Sequence, residues 1–278
     1  MAESAHELPR HPWNREFHWQ LPSDPPRFLS PEQRTRFDEA GACVLEDVFT
    51  PQELAPVIAE LDARVAQADA FLATRPDGRL AIAETGAITF APNLVKSSPI
   101  LADFARHPRV LSICRDLIGA DVDLYWDQAV YKGTEKPRHF PWHQDNGYAF
   151  VDPQQYLTCW IALSDATLES GCPHVAPGLH RKGTLAHTYV EPLGWQIFEQ
   201  PPASLATPVR AGGVVVFSSL TPHSTGPNHS DAVRKTYILQ YTPAGAAVWL
   251  GAPGGEPTPV PVGDAPYQFP VLRGGRPV

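Results

Sequence analysis

The chain has 278 residues, 43% of them hydrophobic, with 22 Lys and Arg against 30 Asp and Glu and a net charge of −8. That size and apolar content suit one domain with a sizeable core, while the acidic balance and the lack of a Lys/Arg run exclude a broad nucleic-acid-binding surface. The longest apolar stretches, such as GGVVVF at 212–217, fall well short of the about 20 residues that span a bilayer, and MAESAHELPR has no apolar signal region, so a cytoplasmic protein is expected.

In chain order, residues 1–29 read as a polar, Pro-rich leader. Ser30-Pro31-Glu32-Gln33 is a capping box with proline at the first helical position, and a short helix should run from it to Gly41. AGACVLEDVF reads as a strand. Thr50-Pro51-Gln52-Glu53 repeats the capping pattern, and Leu54, Val57, Ile58, Leu61 and Val65 give the second helix one apolar face. Residues 70–98 have weak periodicity and are expected as a loop, with at most one short strand pair, able to cover a pocket. HPRVLSICRDLIG (107–119) is helical in pattern, with Gly119 placed for a left-handed cap.

From Asp121 the pattern changes to short β-type runs between Gly and Pro: VDLYWDQAVYK, FPWHQDNG, LTCWIALSDA, GGVVVFSSLTPHS and RKTYILQYTP. Such spacing indicates an antiparallel sandwich or barrel. The expected organisation is a helical bracing segment over 30–120, a β core over 121–250 interrupted by an excursion near 187–208, and a loosely ordered Gly/Pro-rich tail over 251–278. Cys43, Cys114, Cys159 and Cys172 lack CxxC spacing and read as buried free thiols.

The chemistry concentrates in FPWHQDNGYAF. On a strand, residues two apart share a face, so His143 and Asp145 can close on one ion while Trp142 and Gln144 point away. His223, at the end of an apolar strand, is the candidate third ligand. Two imidazoles and one carboxylate on one side of a metal match the ligand set of non-haem Fe(II) oxygenases. An HxD alone is a weak signal; Arg234, returning across the Gly226-Pro227-Asn228 turn, adds a guanidinium suited to gripping a carboxylate.

These blocks, WHQD, TCWIALSDATLESGCPHVAPGLH and GGVVVFSSLTPHS with the following arginine, resemble the phytanoyl-CoA dioxygenase family of Fe(II)/2-oxoglutarate-dependent oxygenases, from roughly Gly41 to Pro243. The resemblance implies a mainly β fold with bracing helices, the double-stranded β-helix (a cupin-like jelly roll), and an iron triad of His143, Asp145 and His223. It implies 2-oxoglutarate as co-substrate held by Arg234 and Thr225, with Trp160 and Gln128 lining its site, and O2 as oxidant. The default outcome is hydroxylation of a C–H bond with release of succinate and CO2. Family halogenases lack the carboxylate ligand, so Asp145 argues against halogenation.

Plainer readings stand beside these. Trp160 reads equally as a core aromatic, Gln128 as an ordinary strand amide, Thr225 as a turn cap and Lys96 as an exposed lysine. Tyr148 and Trp195, with Trp142 and Phe150, either wall a pocket or simply pack. His180 reads as structural, and His139, His174, His187 and His229 as peripheral. The substrate expected is a small, partly apolar molecule, with Lys96, Arg138 or Arg181 available to an anionic group; ectoine is disfavoured because an extended region after HxD is lacking. Two rival activities fit the same pattern: a Zn(II) hydrolase or isomerase on the triad, and a non-catalytic small-molecule binder. A homodimer through the N-terminal helices is compatible with either.

Overall fold

A computed structural model describes residues 8–15, 17–263 and 265–278; the first seven residues of the leader lie outside the described residues. Local chemistry starts each helix. Ser30 and Gln33 form a reciprocal capping box, with Pro31 in the first turn of the helix Pro31–Ala40, and Thr50 and Glu53 repeat it at the head of Pro51–Ala73. Gly41 closes the first helix at φ +78°, and a Cβ there would collide with the His180 ring and the Thr221 hydroxyl. His180 in turn bonds the Asp38 carbonyl through Nε2 at 3.1 Å, tying the helix end to the PGLH turn. The helix Pro108–Leu117 ends before Gly119, which takes a positive φ of 140°.

Strands form a large antiparallel sheet ordered Ala42–Leu45, Val214–Ser218, Leu157–Ala162, Arg234–Pro243, Val122–Lys132, Ile88–Pro92, then the short pair Ala83–Glu84 and Arg79–Leu80. A smaller sheet, Leu205–Ala206, Pro173–Val175, His223–Thr225 and Phe140–His143, faces it. Period-two alternation divides the large sheet into two environments. Leu157, Cys159, Ile161, Val214, Val216, Tyr237, Leu239 and Tyr241 pack against Leu54, Val57, Leu61, Val110 and Leu117 of the helices. Trp160, Ala162, Val215 and Phe217 point the other way and meet Val175 of the small sheet. This is the antiparallel sandwich that the strand spacing indicates, in the jelly-roll form that the family resemblance implies, braced by helices on one face.

Three segments differ from the reading of the sequence. Residues 70–98 are more regular than a loop: the second helix continues to Ala73, a hairpin follows, and Ile88–Pro92 pairs with Val122–Lys132. Weak hydrophobic periodicity hid a strand that is stabilised by its neighbour's backbone. The tail is likewise built in, because Phe269–Arg273 pairs with Val122–Lys132 and buries Val271 and Leu272. Between 187 and 208, Thr188–Val190 and Gly194–Gln196 form a separate hairpin, and Leu205–Ala206 joins the small sheet. The described part of the leader is docked, with Trp13 Nε1 donating to the Gly255 carbonyl at 2.8 Å and Trp19 Nε1 to that of Leu117 at 3.0 Å. All four cysteines are free and buried. Among the described residues no helix is long and apolar enough to cross a membrane.

Candidate metal centre

His143 ends the strand Phe140–His143, and His223 begins His223–Thr225 as its register partner in the small sheet. Their ring centroids lie 4.1 Å apart. Asp145 is not on the strand, as the sequence reading had it; it opens the 3-10 turn Asp145–Gly147. Gln144 between them keeps an extended backbone (φ −105°, ψ 143°), so the two-residue alternation carries past the strand's end and still turns Asp145 to the side of His143. One ligand atom from each of the three residues lies within 4.8 Å of the others. Asp145 Oδ1 is 3.9 Å from His143 Nε2 and 3.7 Å from His223 Nε2.

The imidazoles are presented for coordination. His143 Nδ1 meets the Pro141 carbonyl at 2.8 Å, and His223 Nδ1 meets that of Thr221 at 3.0 Å. A carbonyl only accepts, so each Nδ1 carries a proton, and Nε2 is the nitrogen of each ring left to face a metal. Burial, reinforced by His223, holds His143 well below the ordinary imidazole pKa, which keeps it in the neutral form a metal needs. Asp145 is oriented as well: its Oδ2 accepts from the Thr158 hydroxyl at 2.6 Å, and Thr158 Oγ1 accepts from Gln240 Nε2 at 3.2 Å. Gln144 fixes the loop from behind, donating to the Gly183 and Leu220 carbonyls and accepting from the Leu185 N–H. His187 Nε2 takes the Gln144 N–H at 2.9 Å, and burial pushes this histidine down to about 4. The donor set of two imidazole Nε2 atoms and one oriented carboxylate fits a divalent iron with open positions.

Arg234 begins its strand on the inner face, 1% exposed, with its guanidinium 5.1 Å from the Trp160 ring. One nitrogen donates to the Gly171 carbonyl at 2.6 Å, whereas Nε is buried without a partner. Thr236 Oγ1, two residues on along the same face, is also buried and unpartnered. These vacant donors fit an anionic ligand. Thr225 lies two residues beyond His223, and its Oγ1 accepts from Lys132 Nζ at 2.9 Å. Gln128, Ile238, Trp160 and Val215 form one row across the inner wall, Gln128 half-buried at its end.

The remaining candidates are more peripheral. Tyr148 is 41% exposed, its ring edge-on to His143 at a centroid distance of 5.3 Å. Trp195, 37% exposed, stands on the separate hairpin edge-on to Tyr189. The two are linked through Gly194, where a Cβ would lie 2.9 Å from the Tyr148 hydroxyl. Lys96 ends a 3-10 turn, is exposed, and hydrogen-bonds to none of the residues named above. Arg138 pairs with Glu84, and Arg181 donates to the Asp38 carbonyl. Thr158, Gln240 and Lys132 were not singled out from the sequence. Strand alternation puts them on the inner face, but their partners are set by register across strands.

Comparison with known proteins agrees with this geometry. The family model described as Phytanoyl-CoA dioxygenase (PhyH) matches residues 37–236. Phytanoyl-CoA dioxygenase domain-containing protein 1 of Mus musculus is 26% identical, over 83% of this chain and 96% of its own. An ectoine dioxygenase of Bordetella parapertussis is 28% identical, over 77% of this chain and 75% of its own. In fold, the chain is similar to the non-heme alpha ketoglutarate dependent carbocyclase SnoK from nogalamycin biosynthesis, with a TM-score of 0.66 and 24% identity over 79% of this chain and 86% of that one. EctD from S. alaskensis with bound Fe gives 0.63 and 22%, over 85% and 84%.

Proposed function

The chain belongs to the phytanoyl-CoA dioxygenase family of 2-oxoglutarate-dependent non-haem iron enzymes, and from that premise we propose that it hydroxylates an unactivated C–H bond of a small, partly apolar molecule. The observation that carries this reading is the convergence of two imidazole Nε2 atoms and one carboxylate oxygen within 4.8 Å, on a fold whose inner sheet face also carries a buried guanidinium with an unpartnered Nε. Ferrous iron held there, with 2-oxoglutarate and O2 as co-substrates, would supply the oxidising power for a C–H bond, with succinate and CO2 as co-products. His143, Asp145 and His223 would hold the metal, and Thr158 keeps Asp145 turned toward it. Arg234, with Thr225, would take the distal carboxylate of the keto acid, and Trp160 and Gln128, on the same inner row of the sheet, would line its site. Phe140, with its ring 4.7 Å from that of His143, and Tyr148, edge-on to the same ring, would offer an apolar surface to the substrate beside the metal ligands. Trp195, on the hairpin linked to Tyr148, would extend that surface, and exposed Lys96 is the proposed partner of an anionic substrate group. Four unpaired thiols suit a reducing compartment, so the cytoplasm is the proposed place of action.

The test is O2 uptake by anaerobically iron-loaded protein, measured together with succinate release across a panel of small apolar compounds. One succinate per O2, enhanced by a true substrate and reduced to background in Asp145→Ala, is expected. Turnover that persists in Asp145→Ala, or that proceeds without O2, would overturn the assignment; the second result would favour hydrolysis or isomerisation on the same ligands.

A further inference from the structure

Lys132 is the last residue of the strand Val122–Lys132, and it lies directly opposite Arg234 in register. Both are 1% exposed. Antiparallel partners hold their Cβ atoms about 4.5–5.5 Å apart, so two cationic side chains leave the same spot on the inner wall. No ion pair among the described residues includes either one. Their hydrogen bonds all go to neutral oxygens. Buried charge without a counter-charge is costly, and here the cost falls on two like charges side by side. Burial and the neighbouring guanidinium push the Lys132 ammonium well below its usual pKa. An arriving carboxylate relieves both effects.

The hydrogen bonds give Lys132 a more specific task. Its Nζ reaches from the large sheet to the small one, donating to the Thr225 carbonyl at 3.2 Å, to Thr225 Oγ1 at 2.9 Å and to the Gly226 carbonyl. An ammonium has three N–H groups and no lone pair. Thr225 Oγ1 therefore accepts from Lys132 and must send its own O–H elsewhere; it has no acceptor among the described residues. The same backbone knot anchors Arg234, which binds the Gly171 carbonyl. A Cβ on Gly171 would stand 2.3 Å from the Gly226 oxygen that Lys132 also holds.

We propose that Lys132 is a positioning residue of the co-substrate site: it turns the Thr225 hydroxyl into a donor for the anion held by Arg234 and adds a second positive charge, making the site selective for keto acids with a distal carboxylate. The inference rests on the reading of Arg234 given under the proposed function. It assigns the selectivity to a lysine that touches neither the metal ligands nor, by direct hydrogen bond, the keto acid.

The experiment compares 2-oxoglutarate with 2-oxopentanoate, which has the same chain but a methyl in place of the distal carboxylate. Titration calorimetry on Mn(II)-loaded protein gives both dissociation constants without turnover. The wild type should prefer 2-oxoglutarate, and Lys132→Met should shrink that preference by about tenfold to a hundredfold, the range of a hydrogen bond to a charged group. Mn(II) affinity should not change. Thr225→Val should shrink the preference too, and the double variant should match Lys132→Met, because the two act through one donor. Where Lys132→Met does not fold, Lys132→Gln, which can still donate to the carbonyls, carries the same measurement. A wild-type preference left intact in the lysine variant, or effects that multiply in the double variant, overturns the inference alone. A wild type with no preference for 2-oxoglutarate overturns the co-substrate reading itself.

Discussion

The strand Arg234–Pro243 borders two different environments, and the contrast between its faces separates what keeps this protein folded from what lets it work. Toward the helices it presents Tyr237, Leu239 and Tyr241. Its polar atoms there are paired: the Tyr241 hydroxyl donates to the Ala105 carbonyl at 2.7 Å and that of Tyr237 to Asp127 at 2.9 Å. Toward the small sheet it presents Arg234, Thr236, Ile238 and Gln240, and there Arg234 Nε and Thr236 Oγ1 are buried without partners. A fold selected only for stability leaves few such groups open. The inner face retains binding capacity at some cost in stability, and the outer face with its helices supplies the burial that offsets it.

The sharpest way to break this division is to damage the outer face and look for an effect on the inner one. Leu61, fully buried in the second helix, is far from the metal ligands in the layered arrangement. Leu61→Ala should destabilise by about 2–5 kcal/mol in urea titration, through lost burial and a residual cavity. The kcat/KM of the folded fraction should be unchanged; a parallel fall in kcat/KM would mean that the two faces are mechanically coupled.

The next effect concerns pH and the joint between the first helix and the rest. Burial lowers His180 from 6.5 to about 4 in the folded chain, with the Asp38 carbonyl opposing the shift. Between those values the unfolded chain holds a proton that the folded one rejects, so stability rises with pH. The contribution is fully present above pH 6.5 and is lost as pH falls through about 4, amounting to at most about 3 kcal/mol. Urea titrations from pH 7.5 to pH 4 should show the loss, and His180→Gln should flatten it. An unaltered profile in that variant would assign the acid sensitivity to other groups.

The smallest effect tests the inner face directly. Thr158→Val removes the hydroxyl that bonds Asp145 while keeping the shape of the side chain. Metal affinity or turnover should fall about 10–100-fold, as when other partners of metal ligands are lost. A metal titration and a thermal melt together read this; an unchanged metal affinity with a large drop in melting temperature would make Thr158 a packing residue.

Legibility from the sequence tracked the range of each interaction. Ser30 with Gln33 and Thr50 with Glu53 are three residues apart, and both helix starts were correctly read from them. His143 and Asp145 are two apart, and their shared side survived even though the strand ends between them. Phe269–Arg273 was hidden because it is a short run with a proline inside a Gly/Pro-rich tail, and its strand character comes from pairing with Val122–Lys132. Lys96 marks the other limit, since a charged residue after an apolar run carries no sign in the sequence of what its side chain meets, and in the fold it is exposed at the end of a 3-10 turn.

By itself, then, the sequence determined where the capped helices start, the alternation that sorts each strand's residues onto two faces, and which residues are candidates to hold a metal and a carboxylate. These follow from steric and hydrogen-bonding rules that act over a few residues. The tertiary structure alone decided that Lys132 meets Thr225, 93 positions away, and that Thr158 meets Asp145 across the cavity. Such meetings depend on strand register and on how two sheets face each other. A shift of one residue in either would send the same side chains to the opposite face.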